Sequence, residues 1–267
     1  DTYRQPKSWS RPEGKEGVVE VMDALGIDKI VLLGNQMITF DQMKADDARP
    51  AIYANAYVDY LLDRMVDPDA GIFGTVPLPT NDPTAGAELI DRVGDDRGIV
   101  GACFISSKVE PPLGNRKYDP IYRAAQKADQ PVIFHTGGSG LEDYHIAGYG
   151  KFIETHSLGF LVSNMSQLTS VVIQGVPEKF PDLDLVFQEA GLGWVPMMMY
   201  RLDAEYMKRQ SEAPLLERRP SEYIKEMYFG TQPLEENAHF LETVIEHIGA
   251  DQIMYASDYP HWDYDEP

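Results

Sequence analysis

The chain has 267 residues, a formal net charge of −20 and 43% hydrophobic residues. A surface this acidic excludes nucleic acid and anionic membranes as partners, since both are bound through positive charge. No apolar run is long enough to span a bilayer, and the single cysteine, Cys103, excludes an intrachain disulfide and any cysteine-based zinc cluster.

Taken in order, residues 1–12 are polar and give no periodic signal. Helical spacing of Val18, Val19, Met22 and Leu25 predicts a helix over Glu13–Leu25, stopped by Gly26. Asp28–Leu33 reads as a short buried strand closed by Gly34 and Asn35. The pattern then repeats: helix Pro50–Met65, strand Gly71–Leu78, helix Pro83–Val93 with an Asn81 or Asp82 cap, strand Gly98–Ile105, helix Tyr118–Lys127 and strand Pro131–Phe134. A long polar and aromatic excursion, Gly137–Lys151, carries Tyr144, His145 and Tyr149; loops of this length at strand ends are often functional. Helix Thr155–Gly175, strand Asp182–Gln188, helix Trp194–Arg209, helix Ser221–Met227, strand Tyr228–Gly230, helix Leu234–Ile248 and a final buried strand Gln252–Ala256 complete the chain. Cys103, inside the run Ile99–Ile105, reads as a buried inert thiol.

Short apolar strands alternating with helices, without hairpin signals, call for a parallel sheet covered by helices. Seven strands, with a helix feeding the first and none after the last, predict an α/β fold of (β/α)8 TIM type. That barrel would lack its first strand and last helix in residues 1–267, which form a single domain. An open doubly wound sheet is the alternative, but neither G-x-G-x-x-G nor G-x-x-x-x-G-K occurs. With no secretory signal, a cytoplasmic location is expected. The acidic surplus predicts tolerance of high salt, where charge repulsion is screened. Thermal melts should shift upward as salt rises from millimolar to molar, and indifference to salt would count against this.

Polar residues recur at one phase of the repeat, the C-terminal end of each strand: Asn35, Ser106-Ser107, His135, Glu189, Gln232, and Asp258 with His261. In a barrel these project to one mouth, where active sites of such enzymes lie. An imidazole and carboxylates there suit a divalent ion such as zinc, and also manganese. Bound water on such an ion reaches a pKa of about 7, and a neighbouring carboxylate can take its proton. The candidate metal ligands are His135 and Asp258, and the candidate catalytic groups Asp258 and Glu189. Glu189 could also be a third ligand. His145, Gln232 and His261 are candidates for binding the substrate.

The segments H-T-G-G at 135–138, G-V-P-E-K-F-P-D-L-D-L-V-F-Q-E-A-G-L-G-W-V-P at 175–196, R-L-D at 201–203 and Y-A-S-D-Y-P-H at 255–261 resemble the amidohydrolase-related family, in its aminocarboxymuconate-semialdehyde decarboxylase-like branch. The resemblance implies a barrel holding one divalent ion, zinc or manganese. It implies ligands from an H-x-H or E-x-H pair on strand 1, from His135 and from Asp258. No strand of this chain carries such a pair. Glu189 also stands where many decarboxylases of the family have a histidine. The reading is therefore a metal-dependent hydrolase acting on a small carboxylate-, amide- or lactone-bearing molecule through a metal-activated water. A non-oxidative decarboxylase is the alternative, and a non-catalytic binding or assembly barrel the alternative of another class. A homo-oligomer is compatible with each.

Overall fold

The computed structural model describes residues 13–34, 48–107, 109–137, 148–235 and 237–265. Asn35, Tyr144 and His145 lie outside them. Seven strands form one parallel sheet in sequential order: β1 Ile30–Leu32, β2 Ile72–Pro77, β3 Ile99–Ile105, β4 Val132–His135, β5 Leu185–Gln188, β6 Tyr228–Gly230 and β7 Ile253–Met254. Between them run α1 Gly14–Leu25, α2 Arg49–Arg64, α3 Pro83–Val93, α4 Asp119–Lys127, α5 Phe152–Ile173, the short α6 Val176–Lys179, α7 Trp194–Arg209, the short α8 Pro220–Ile224 and α9 Ala238–Ile248. The sheet curls as in a TIM-type barrel, so that β1 and β7 both line one cavity of about 470 Å3. Among the described residues, β1 pairs only with β2 and β7 only with β6.

Register decides which side chains face the cavity. Phe104, Phe134, Phe187 and Phe229 are direct partners across β3, β4, β5 and β6. They form a ring ladder beneath the helices, with Phe134 and Phe187 stacked at 4.6 Å and 9°. Strand side chains alternate between faces, so the residues one step away point inward. Those are Cys103, Ile105, Ile133, His135, Val186 and Gln188, all lining the cavity. The aromatic ladder thus sets the phase that delivers His135 inward, because a slip of one residue would turn every side chain over. Cys103 is buried as expected, and burial pushes its thiol up to about 12.

Some boundaries differ from expectation for local reasons. Helix α5 starts at Phe152 rather than Thr155 because the Glu154 carboxylate accepts the Lys151 backbone N–H at 2.9 Å. Helix α9 starts at Ala238 rather than Leu234 because the Asn237 side chain accepts from Phe240 N at 3.0 Å. Asp82, not Asn81, caps α3, accepting from Ala85 N at 3.1 Å. The first and last strands, expected to be buried, are not. Val31 is 44% exposed, Met254 41% and Tyr255 48%, since among the described residues each strand has a neighbour on one side only.

Candidate active site

Three strand ends build the site. His135 is the last residue of β4 and points into the cavity with its ring buried. Glu189 directly follows β5, and Asp258 and His261 lie on the turn after β7. Glu189 and Asp258 both hold the left-handed backbone conformation, at φ 59° and 58°. For a non-glycine residue this costs on the order of 1–3 kcal/mol and is tolerated where function demands it. In both cases the bend turns a strand-end carboxylate back over the mouth.

The turn bearing Glu189 is fixed from a distance. The Glu235 carboxylate accepts the backbone N–H groups of Leu192 at 3.2 Å and Gly193 at 2.8 Å. Gly191 N donates to Gln232 O at 3.1 Å, and Trp194 Nε1 donates to Gly191 O at 3.0 Å. Gly191 is at φ 65°, where an added Cβ would lie 2.7 Å from Glu235 Oε1. The glycines of E-A-G-L-G-W are therefore needed for a tight turn that presents its amides to one carboxylate. Nothing around Glu235 in the sequence marks it as that acceptor. The glycine-rich turn was a signal that an acceptor was needed, but nothing local named a partner more than forty residues away.

The four groups converge. His135 Nε2 lies 2.8 Å from Glu189 Oε2, yet off the line that a hydrogen bond needs, and both Glu189 Oε2 and His135 Nδ1 are buried without an aligned partner. His261 Nδ1 lies 2.8 Å and 2.9 Å from the two carboxylate oxygens of Asp258. One ligand atom from each of Glu189, Asp258 and His261 falls within 4.8 Å of the others. Burial pulls the His135 imidazole down, but the charges of Glu189 and Asp258 outweigh it and hold its pKa above the ordinary value. Burial pushes the Glu189 carboxyl up to about 7, against the pull of His135. The His261 imidazole is raised, chiefly by its hydrogen bond to Asp258. Glu189, Asp258 and His261 are a group that could hold a divalent cation, and His135 borders it through its contact with Glu189. The unaligned buried oxygen of Glu189 fits that use better than it fits a simple ion pair, where the ring N–H would point at it.

The remaining expected residues fall differently. Gln232 lines the cavity, but its Nε2 is committed to Asp263 O at 3.1 Å, leaving Oε1 unpartnered. Ser106 and Ser107, expected at the mouth, are fully buried away from the cavity. Ser107 Oγ instead donates to Gly137 O at 3.1 Å and accepts from Gly137 N at 2.8 Å, tying the tail of β3 to that of β4. The triplet Glu154-Thr155-His156 has E-x-H spacing, but it opens α5 and ends no strand. His156 instead packs with Phe152, Phe160 and Trp262, its Nε2 3.5 Å from Asp263 Oδ2. His239 and His247 lie on α9, with His247 Nδ1 2.7 Å from Thr243 O.

Comparison with known proteins gives the family and the fold. A family model described as amidohydrolase matches residues 7–267. A gamma-resorcylate decarboxylase of Rhizobium sp. (strain MTP-10005) is 26% identical over 251 residues, covering 91% of this chain and 75% of that protein. The crystal structure of an amidohydrolase from Mycobacterium avium subsp. paratuberculosis K-10 superposes with a TM-score of 0.82 at 22% identity, covering 95% of this chain and 67% of that one. A dihydroxybenzoic acid decarboxylase from Polaromonas sp. JS666, solved with manganese and the inhibitor 2-nitroresorcinol, gives a TM-score of 0.69 at 22% identity, over 92% and 75% of the two chains. At such identities the structural likeness speaks for the fold. No described helix is long and apolar enough to cross a membrane.

Proposed function

Since this chain belongs to the amidohydrolase family and is an enzyme of it, we propose that it is a metal-dependent, non-oxidative carboxy-lyase acting on a small carboxylate, with hydroxylated aromatic acids the first class to test. The observation that carries this reading is the convergence of His135, Glu189, Asp258 and His261 on one end of the cavity. The decarboxylase names of its relatives turn the choice from hydrolysis toward carboxy-lyase chemistry. A divalent ion held there by Glu189, Asp258 and the imidazoles would supply positive charge to orient the substrate's carboxylate and a neighbouring oxygen. Manganese is the first ion to try, because a related structure holds it, and zinc the second.

The residues then have separate tasks. The cavity wall below the site is apolar, with Ile105, Ile133 and Val186 facing inward, and it accepts the body of a small ligand while excluding water. In the reaction the bond between the substrate carbon and its carboxylate breaks and carbon dioxide leaves. A proton from Asp258 takes its place on carbon. His261, 2.8 Å from Asp258, is placed to restore that proton from solvent. Glu189 sets its buried carboxylate beside His135, with Oε2 2.8 Å from the ring and free to face a cation.

One observation favours hydrolysis as a second reading. The buried carboxylate of Glu189, with an oxygen that has no hydrogen-bond partner, is placed to take a proton from a water at the site. Incubation of the manganese-loaded protein with 2,6-dihydroxybenzoate and a panel of amides and lactones in 18O-labelled water separates the two. Carbon dioxide release without 18O in the organic product is expected. Label in the product would establish the second reading instead, and turnover of neither class by metal-loaded protein would overturn both.

A further inference from the structure

Helix α5 is rich in apolar residues, yet the face it turns to the sheet buries Ser163, Asn164 and Gln167. The two amides do different work. Gln167 satisfies both ends of its side chain on backbone, donating to Ser106 O at 2.9 Å and accepting from Leu113 N at 2.9 Å. Ser106 meets the tail of β4 through its own backbone, donating to His135 O at 2.8 Å. Neither partner of Gln167 lies on β5, however, so Gln167 does not bridge the two strands that deliver His135 and Glu189. Asn164, 0% exposed, reaches the site's own strands. Its Nδ2 donates to Thr136 Oγ1 at 3.2 Å and to Gln188 O at 3.1 Å, besides Phe160 O one turn back at 3.1 Å. Thr136 is the residue after His135, and Gln188 is the residue before Glu189.

We infer that Asn164 is a positioning residue, whose single amide ties the tails of β4 and β5 so that His135 and Glu189 are held in one relative geometry; this rests on the proposal that those two residues belong to the metal site. Three features carry the inference. The bridge spans the two strands at the level where each hands over its site residue. Glu189 starts from a left-handed backbone, φ 59°, which needs its preceding carbonyl anchored to stay fixed. Asn164 Oδ1 has no partner, so the group is kept at the cost of a buried, unsatisfied acceptor, which an isosteric leucine would avoid. Outer residues that orient ligands typically change metal affinity by roughly 10–100-fold when removed.

The test compares Asn164→Leu with Gln167→Leu in the full chain, by two readouts. The first is the long-range 1H–15N spectrum of the His135 ring in metal-free protein, which needs no metal site. Wild type and Gln167→Leu should each give one sharp set of His135 cross-peaks, and Asn164→Leu a broadened or doubled set. The second is manganese affinity by paramagnetic titration, expected to weaken by about 10-fold or more in Asn164→Leu and to stay within about 2-fold in Gln167→Leu. His135 cross-peaks of Asn164→Leu that overlay those of wild type overturn the inference. So does an equal loss of manganese binding in the two variants. Failure of wild type to bind manganese or zinc would sink the metal reading instead, with the ring spectrum still judging Asn164. If Asn164→Leu does not fold, Thr136→Val removes the β4 end of the bridge alone and decides by the same spectrum.

Discussion

Asp258→Asn should lower turnover by about 10^2–10^4-fold, the usual contribution of a positioned acid or base, while leaving the melting temperature nearly unchanged. The substitution is close to isosteric, and asparagine accepts the left-handed backbone at φ 58° as readily as aspartate does. An amide can still accept from His261 Nδ1 but cannot carry the proton that the reaction needs. It is also a poorer donor to a divalent ion, so manganese binding should weaken in the same variant. Steady-state rates with whichever acid wild type decarboxylates, set beside a thermal melt, check the claim. Activity within tenfold of wild type would remove Asp258 from the chemistry. His261→Gln should be milder, since it removes the group that returns the proton rather than the one that delivers it. Its defect should be larger at the pH extreme where proton return limits the rate.

The site was legible where polar chemistry interrupts a buried strand, and illegible where geometry comes from afar. His135 and Asp258 stood out because an imidazole and a carboxylate end apolar runs, and burying them without partners is costly. The strands between β2 and β6 were readable for the same reason: covered on both faces, they show as short apolar runs. The outer strands misled, because an apolar run such as Ile253–Ala256 reads as buried whether or not a neighbour covers it, and Met254 and Tyr255 are exposed. Nothing in the local sequence states that Glu189 takes a positive φ, or that Glu235 caps its turn, or that an asparagine on α5 reaches across two strand ends. Those facts depend on contacts between residues far apart in the chain. The expected part for Gln232 was weakened in the same way, since its donor was already claimed by Asp263.

Phe187→Ala should destabilise the fold by about 3–5 kcal/mol, the range for deleting a buried aromatic ring. Phe187 is 2% exposed and is the middle of the ladder. It stacks on Phe134 at 4.6 Å and lies 6.0 Å from Phe229, with Trp194 meeting its edge at 6.3 Å. Its loss empties a closed space that three rigid rings border, and rings on separate strands and a helix cannot collapse into it without shifting the sheet. Trp194 also opens α7 just beyond the Glu189 turn, so the cavity lies against the element that aims the carboxylate. Activity should therefore fall even at temperatures where the variant is still folded. Urea denaturation followed by tryptophan fluorescence measures the first effect. Phe152→Ala provides the contrast: that ring is 57% exposed, and removing it should move stability by no more than about 0.5 kcal/mol. Equal urea midpoints for the two variants would mean that the ladder does not hold the sheet in phase, and the inward delivery of His135 would need another cause.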